Sequence, residues 1–262
     1  MILIDTPQWA AHGTVFAHLV SDSSYAELHD FAGRVGLPAR AFDGDHYDVP
    51  AHRHAACVAA GAVLTPSGEV VRRLNASGLR LRKRKGDRGI LRARSVSLGS
   101  GSGSSTDVDL VGSTRPVDAS AVFAAMTFVR DLDGAIVLTW SERRGEWSVP
   151  GGWRELDETP SEGAAREIAE ETGLVVAPED LEPVGWERFR PVVGPSRFAP
   201  EVDLMQVYAV RLPTSAPRLR AESGASRPPE WASPEEFALL AGRQFWWPLA
   251  AYLLRESPPE IR

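Results

Sequence analysis

Apolar residues in this chain follow two rhythms, helical spacing in some segments and short continuous or alternating runs in others. Met1–Ile4 is an uninterrupted apolar run and reads as a buried strand. Ser23–Val35 sets Tyr25, Leu28, Phe31, Ala32 and Val35 on one helical face, with Gly36 as a stop. Arg40–Phe42 reads as a short extended piece entering the loop Asp43-Gly-Asp-His-Tyr-Asp-Val-Pro50, and helices are expected near Ala51–Ala60 and Gly68–Leu74. Further along, Val122–Val129 and Gly134–Trp140 read as strands joined by the turn Asp131-Leu-Asp-Gly134. A helix over Thr159–Thr172, strands near Leu181–Phe189 and Asp203–Arg211, and a helical region after Ser233 complete the order. The pattern predicts an α/β fold class: a small α/β module, then a mixed α/β unit whose central sheet is covered by helices.

Between the halves the rhythm stops. Leu98-Gly-Ser-Gly-Ser-Gly-Ser-Ser105 has almost nothing to bury, so residues 98–118 are expected to be a flexible linker between a module of residues 1–97 and a unit of residues 119–262. Charge divides the chain at the same place. Residues 1–99 hold 13 basic and 9 acidic side chains, and the remainder holds 16 basic and 26 acidic, within a net charge of −6. All six histidines lie in the first 54 residues. Cys57 is the only cysteine, which excludes an intramolecular disulfide and a cysteine-based zinc site. The first residues lack the positive charge and apolar length of a signal peptide, and no uncharged apolar stretch approaches the roughly 18–20 residues that span a bilayer. A cytoplasmic location without a membrane partner is the expectation.

The chemistry concentrates in Gly152–Leu174. Thr159 suits an N-cap, Pro160 the first helical turn, and Glu162 completes a Thr-x-x-Glu capping box, while Gly173 suits the residue that ends the helix. Ala164, Ala165 and Ile168 can face the sheet. Glu167, Glu170 and Glu171 then share one face at i, i+3 and i+4. They crowd the last turns, where the helix dipole disfavours anions, and each penalty is a few tenths of a kcal/mol. A divalent cation with hard oxygen ligands would reverse both penalties. The plain alternative is a solvated acidic face, since exposed glutamate is ordinary.

Spacing decides between them. Gly152, five residues, Glu158, seven residues, Arg166-Glu167-Ile168, one residue, Glu170-Glu171, one residue, Gly173-Leu174 matches the Nudix signature at every fixed position. A chance match in a chain this long is on the order of one in ten million. From about Ala119 onward, including Trp147-Ser-Val-Pro-Gly-Gly152, the sequence resembles a Nudix hydrolase domain. The resemblance implies an α/β/α sandwich with a mixed sheet and hydrolysis of a pyrophosphate bond in a nucleotide-like small molecule, with Mg²⁺ or Mn²⁺ as cofactor. It implies that Glu167, Glu170, Glu171 and the Gly152 carbonyl hold the metal, that Arg166 and Glu158 pair to orient loop and helix, and that a carboxylate serves as general base. Glu167 is the first choice, and Glu222 the choice for a later acidic ligand, with Glu201 and Asp203 as rivals. Trp153 and Phe189 are the expected cleft aromatics.

Residues 1–95 resemble a small bacterial domain family of unknown function through Ile2-Leu-Ile-Asp-Thr-Pro7, His12-Gly13, His18-Leu19, Ser21-Asp22, Glu27-Leu-His29 and Asp45-His-Tyr-Asp48. Imidazoles mixed with carboxylates suit a transition metal or a phosphate ester, and Asp45, His46 and Asp48, with Asp5 and His12 as partners, form the expected site. The alternative is a set of buried hydrogen-bond networks. Leu79-Arg-Leu-Arg-Lys-Arg-Lys85 is a basic stretch, read chiefly as a solvated run. It also keeps a second function open, a Nudix-fold ligand sensor that uses the basic module on nucleic acid. Sensors commonly lose signature glutamates, and this chain keeps them all.

Overall fold

The computed structural model describes residues 1–98, 105–193, 199, 201–220 and 225–255. The chain divides into two compact units, Met1–Arg92 and Ala93–Arg262.

The first unit is built on strand β1 (Ile2–Ile4), followed by β2 (Trp9–Ala11), β3 (Thr14–Ser21), helix α1 (Tyr25–Arg34), β4 (Tyr47–Pro50), α2 (Ala51–Ala59), β5 (Val63–Leu64) and α3 (Ser67–Ala76). The sheet runs β2–β3–β1–β5, with β4 pairing β3 and only β1–β5 parallel. The period-two rule explains its layers. Ile2 and Ile4 pack with Ala17 and Leu19 against Leu28 and Phe31 of α1 and Cys57 of α2. Leu3 and Val20 point the other way, onto Val70 and Leu74 of α3. The sheet is thus covered on both faces, which is why Met1–Ile4 shows no alternation in sequence.

The second unit contains β6 (Arg88–Val96), in which the division between the units falls, then β7 (Ser105–Gly112), β8 (Val122–Arg130), β9 (Ile136–Ser141), β10 (Glu146–Ser148), β11 (Gly151–Trp153), α4 (Pro160–Thr172), β12 (Glu182–Val193), β13 (Leu204–Arg211), β14 (Glu230–Ala232), α5 (Pro234–Ala241) and α6 (Trp247–Arg255). Strand order is β10–β9–β8–β13–β12–β7–β6, with β11 on β8 and β14 on β9. The β13–β8 pair is parallel and the β12–β13 pair antiparallel, so the sheet is mixed. Ala125, Val129 and Tyr208 meet Ala164 and Ile168 of α4 on one face. Phe128, one residue out of phase, meets Phe237 of α5 and Trp246 on the other. This is the expected α/β/α sandwich.

Helix α4 forms for the reasons its sequence gives. The Thr159 side chain accepts from Glu162 N–H, the Glu162 side chain accepts from Thr159 N–H, and Pro160 opens the first turn. Such a cap contributes about 1 kcal/mol, and burying Ile168 contributes about 2 kcal/mol more. Gly173 closes the helix at φ +73°, a left-handed position where a side chain is strained.

Three sequence expectations are corrected. Ser105–Gly112 is a strand paired with β12, not part of a linker across 98–118, because Thr106, Val108 and Leu110 alternate into the core. Residues 99–104 lie outside the described residues. Ala39–Ala41 is a turn of 3₁₀ helix rather than an extended piece, entered through Pro38, and the loop after it ends in a strand, Tyr47–Pro50. The basic stretch is not simply solvated. Leu79 and Leu81 are core residues, and Arg80, Lys83 and Arg84 pair with Asp45, Asp43 and Asp87 of the same unit.

Candidate active site

Strand β11 and helix α4 carry the signature residues. β11 pairs with β8, so Gly152 faces Ala125 across the ladder, and the first turns of α4 follow directly after Glu158. Gly152 is required by packing. A Cβ there would collide with the Glu167 carboxyl group, so the glycine is what lets that carboxylate lie against the strand.

Arg166 organises the site. Its Nε donates to Glu158 Oε1 at 2.8 Å, its Nη1 to Glu167 Oε1 at 2.8 Å and Glu170 Oε2 at 2.9 Å, and its Nη2 to the Trp153 carbonyl at 2.9 Å and Glu158 Oε2 at 3.2 Å. The planar fork thereby fixes the β11–α4 loop through Glu158 and Trp153 and the helix through Glu167 and Glu170. The Arg166 hydrogen bond holds the Glu158 carboxyl below the usual range. Burial pushes the Glu167 carboxyl above it, against the opposing bond from Arg166.

Glu171 points elsewhere. It accepts from Thr139 Oγ1 at 3.1 Å and from Gly151 N–H at 3.2 Å, which draws it to the start of β11. Glu170 is half exposed. Two of the three signature glutamates therefore reach Gly151-Gly152, Glu167 against Gly152 and Glu171 at the Gly151 N–H, while Glu170 is held by Arg166. The three glutamates offer only oxygen donors, the donor chemistry that a hard divalent cation takes.

Beside the signature lies a cavity of about 120 Å³ walled by Gly151, Gly152, Trp153, Phe123, Phe189 and Met205. That volume is well below the roughly 300–1,000 Å³ of whole-ligand pockets, so it holds one ring rather than an entire nucleotide. Trp153 and Phe189 both stand on this wall, and Phe123 joins them at centroid distances of 5.0 and 5.3 Å. Sequence reasoning missed Phe123, although its position next to β11 in the β8 ladder was the available signal. Phe245 and Trp246 belong to the same wall, and Trp246 also packs on Phe237. Trp140 and Trp147 lie against Arg227 instead, with its guanidinium carbon 4.0 and 6.0 Å from their ring centroids. Glu222 falls outside the described residues. Glu201 is an exposed turn residue at φ +66°, and Asp203 pairs with Arg188 at 3.5 Å.

In the first unit, Asp45 and Asp48 do flank His46. His46 Nδ1 lies 2.6 Å from Asp45 Oδ1, and Nε2 lies 3.4 Å from Asp48 Oδ1. Burial opposes a charge on this ring, but the two carboxylates win and push it up to about 9. Asp5 is buried too. Burial there also opposes charge, yet hydrogen bonds from His18, Ser67 and Trp9 lower its carboxyl to about 2. His12 is a correction: it is an exposed turn residue between β2 and β3 at φ +47°. His18 takes its place at the cluster, because β3 pairs with β4 and sets His18 directly opposite Asp48.

Residues 121–253, half of the chain, match the NUDIX domain family, and the chain belongs to that family. Residues 2–77 match a second family described as a protein of unknown function, DUF4031. Among curated relatives, a "MutT-like protein" of Streptomyces ambofaciens is 44% identical over 61 residues, which is 23% of this chain and 39% of the relative. An "RNA pyrophosphohydrolase" of Xanthomonas campestris pv. campestris (strain B100) is 42% identical over 62 residues, 22% of this chain and 29% of the relative. The chain thus spans less than two fifths of the length of the curated relatives it matches. Solved structures with similarity include the Bacillus subtilis pyrophosphohydrolase BsRppH at 21% identity and TM-score 0.42, covering 58% of this chain and 92% of that one. Another is a Francisella tularensis bifunctional NMN adenylyltransferase/ADP ribose pyrophosphatase at 19% identity and TM-score 0.39, covering 52% and 42%. No helix among the described residues is long and apolar enough to cross a membrane.

Proposed function

We propose that this protein is a Mg²⁺- or Mn²⁺-dependent pyrophosphohydrolase that acts on a nucleoside di- or triphosphate or a nucleoside diphosphate derivative. One observation carries the reading: the Arg166 fork gathers Glu158, Glu167 and Glu170, with Glu167 against Gly152, and Gly152 itself lines an aromatic cavity. The family of the second unit supports the same chemistry, as does the pyrophosphohydrolase activity of its Xanthomonas relative.

In this reading Glu167, Glu170, Glu171 and the Gly152 carbonyl would hold the cation. When bound, it supplies charge neutralisation of the diphosphate and a more acidic attacking water. The rest falls to the chain's own groups. Glu167 accepts the water's proton at Oε2, since Oε1 is engaged by Arg166. Glu158 fixes Arg166, and Arg166 fixes the angle between loop and helix. Trp153, Phe123 and Phe189 hold a ring of the substrate by stacking.

The test is phosphate or nucleotide release over a panel of oxidised nucleoside triphosphates, ADP-ribose, dinucleotide polyphosphates, nucleotide sugars and 5′-triphosphate RNA. Turnover of at least one member with Mg²⁺ or Mn²⁺, abolished by chelation, is expected. Glu167→Gln should lower kcat by roughly 10²–10⁴-fold. Absence of turnover across the panel, or glutamate variants equal to wild type, would overturn the reading.

A further inference from the structure

We propose that the first unit contains a transition-metal site formed by His18, His46 and Asp48, separate from the Nudix carboxylates. One ligand atom from each of these residues lies within 4.8 Å of the others, and among the described residues they are the set of histidines and carboxylates that meets this condition. Ligands at about 2.0–2.2 Å around one tetrahedral ion lie roughly 3.4 Å apart, a separation His46 Nε2 and Asp48 Oδ1 already have, so His18 needs to close by at most about 1.4 Å.

The surroundings separate this arrangement from a chance cluster. The two rings meet edge to face at 4.8 Å between centroids. Each has its Nδ1 beside a different buried carboxylate: His18 is 3.3 Å from Asp5 Oδ2, and His46 is 2.6 Å from Asp45 Oδ1. With both Nδ1 atoms engaged, Nε2 is the nitrogen each ring offers to a ligand; that of His46 faces Asp48 Oδ1 at 3.4 Å, so a bound ion would displace the proton between them. A carboxylate behind an imidazole fixes its orientation and raises its basicity, an arrangement common to metal-bound histidines.

Those carboxylates are themselves anchored. Asp5 accepts from His18 N–H at 2.6 Å and Ser67 Oγ at 2.9 Å, and Asp45 accepts from Leu81 N–H at 2.7 Å. The residues come from three places in the sheet (β3, β4 and the loop before β4), with His18 and Asp48 directly opposed across the β3–β4 ladder. Backbone pairing therefore sets their separation.

The donor set determines the class of ion. Two imidazoles and one carboxylate suit Zn²⁺, Fe²⁺, Co²⁺ or Mn²⁺, and the remaining positions stay open to water or a ligand. The all-oxygen set around Gly152 suits Mg²⁺ or Mn²⁺ instead. Asp48 also lines a cavity of about 590 Å³ whose wall carries Arg40, Arg53 and Arg88, so the open positions adjoin cationic surface suited to an oxyanion.

The experiment uses the full chain. Protein stripped with a chelator is loaded with Zn²⁺, passed through a metal-free sizing column and analysed for bound metal; a Co²⁺-loaded sample is examined for the visible absorption of nitrogen-ligated cobalt. One ion per chain is expected, retained also by the triple variant Glu167→Gln/Glu170→Gln/Glu171→Gln. Retention should fall at least tenfold in His18→Ala and in Asp48→Asn, each checked for unchanged circular dichroism. Asp48→Asn conserves shape at a partly exposed position and decides the matter should His18→Ala fail to fold. No retained ion in the wild type overturns the proposal, as does undiminished retention in Asp48→Asn.

Discussion

Glu187 offers a sharp energetic test of the second unit. It lies on β12 opposite Met205 of β13 and Leu110 of β7, fully buried, and neither carboxylate oxygen has a hydrogen-bond partner among the described residues. Burial pushes its pKa from 4.5 up to about 8, against the distant charge of Arg144. A displacement of that size corresponds to about 5 kcal/mol between the two protonation states. The folded protein binds this proton more tightly than the unfolded chain does. Stability lost to keeping this group from ionising is therefore nil below pH 4.5 and accumulates as pH rises toward 8. Between pH 5 and pH 8 the loss is roughly 3–4 kcal/mol, a large share of the 5–15 kcal/mol that holds a domain together. Glu187→Met removes the ionisation and keeps an unbranched side chain that can fill the space. We expect the variant to gain roughly 3–5 kcal/mol over wild type at pH 8 and much less at pH 5. Equilibrium urea unfolding at the two pH values measures this, with tryptophan fluorescence as the probe because seven of the eight tryptophans lie beyond residue 92. A wild type and variant with the same dependence of stability on pH would refute the argument.

Other consequences can be checked on the same protein. Gly152→Ala should fold and yet lose at least roughly tenfold in the Mg²⁺ or Mn²⁺ concentration needed for half-maximal turnover, because its methyl would displace the Glu167 carboxylate; unchanged metal titration would count against that placement. Arg166→Lys should lose roughly 10–100-fold in kcat and recover little over Arg166→Ala, since an ammonium cannot span Glu158, Glu167 and Glu170 as the fork does. Gly173→Ala should destabilise by roughly 1–2 kcal/mol in urea, given φ +73° and a new Cβ 2.8 Å from Arg220 Cβ.

What the sequence made legible follows the range of the interaction. Helix α4 could be read to within a residue because its determinants are local: the Thr159–Glu162 box, Pro160 and Gly173 all act within one turn of an end. The pairing of Arg166 with Glu158 could be anticipated only through the signature, since seven residues lie between them in the chain and the turn into α4 brings them together. Non-local features were invisible. Thr14–Ser21 was not recognised as a strand, because β3 is covered on both faces and its residues do not alternate cleanly. That omission had a chemical consequence. Once β3 and β4 are paired, His18 stands opposite Asp48 and beside His46, whereas the sequence offered His12, a turn residue on the surface, as a partner. Glu187 makes the same point with the opposite sign. In sequence it is one acid in the alternating Trp186-Glu-Arg-Phe189 run, and its burial is imposed by strands more than fifteen residues away on either side. A carboxyl buried there costs the fold little while neutral below pH 4.5 and opposes it once ionisation is forced near pH 8, so the interior of this unit carries a titratable group that its local sequence gives no reason to expect.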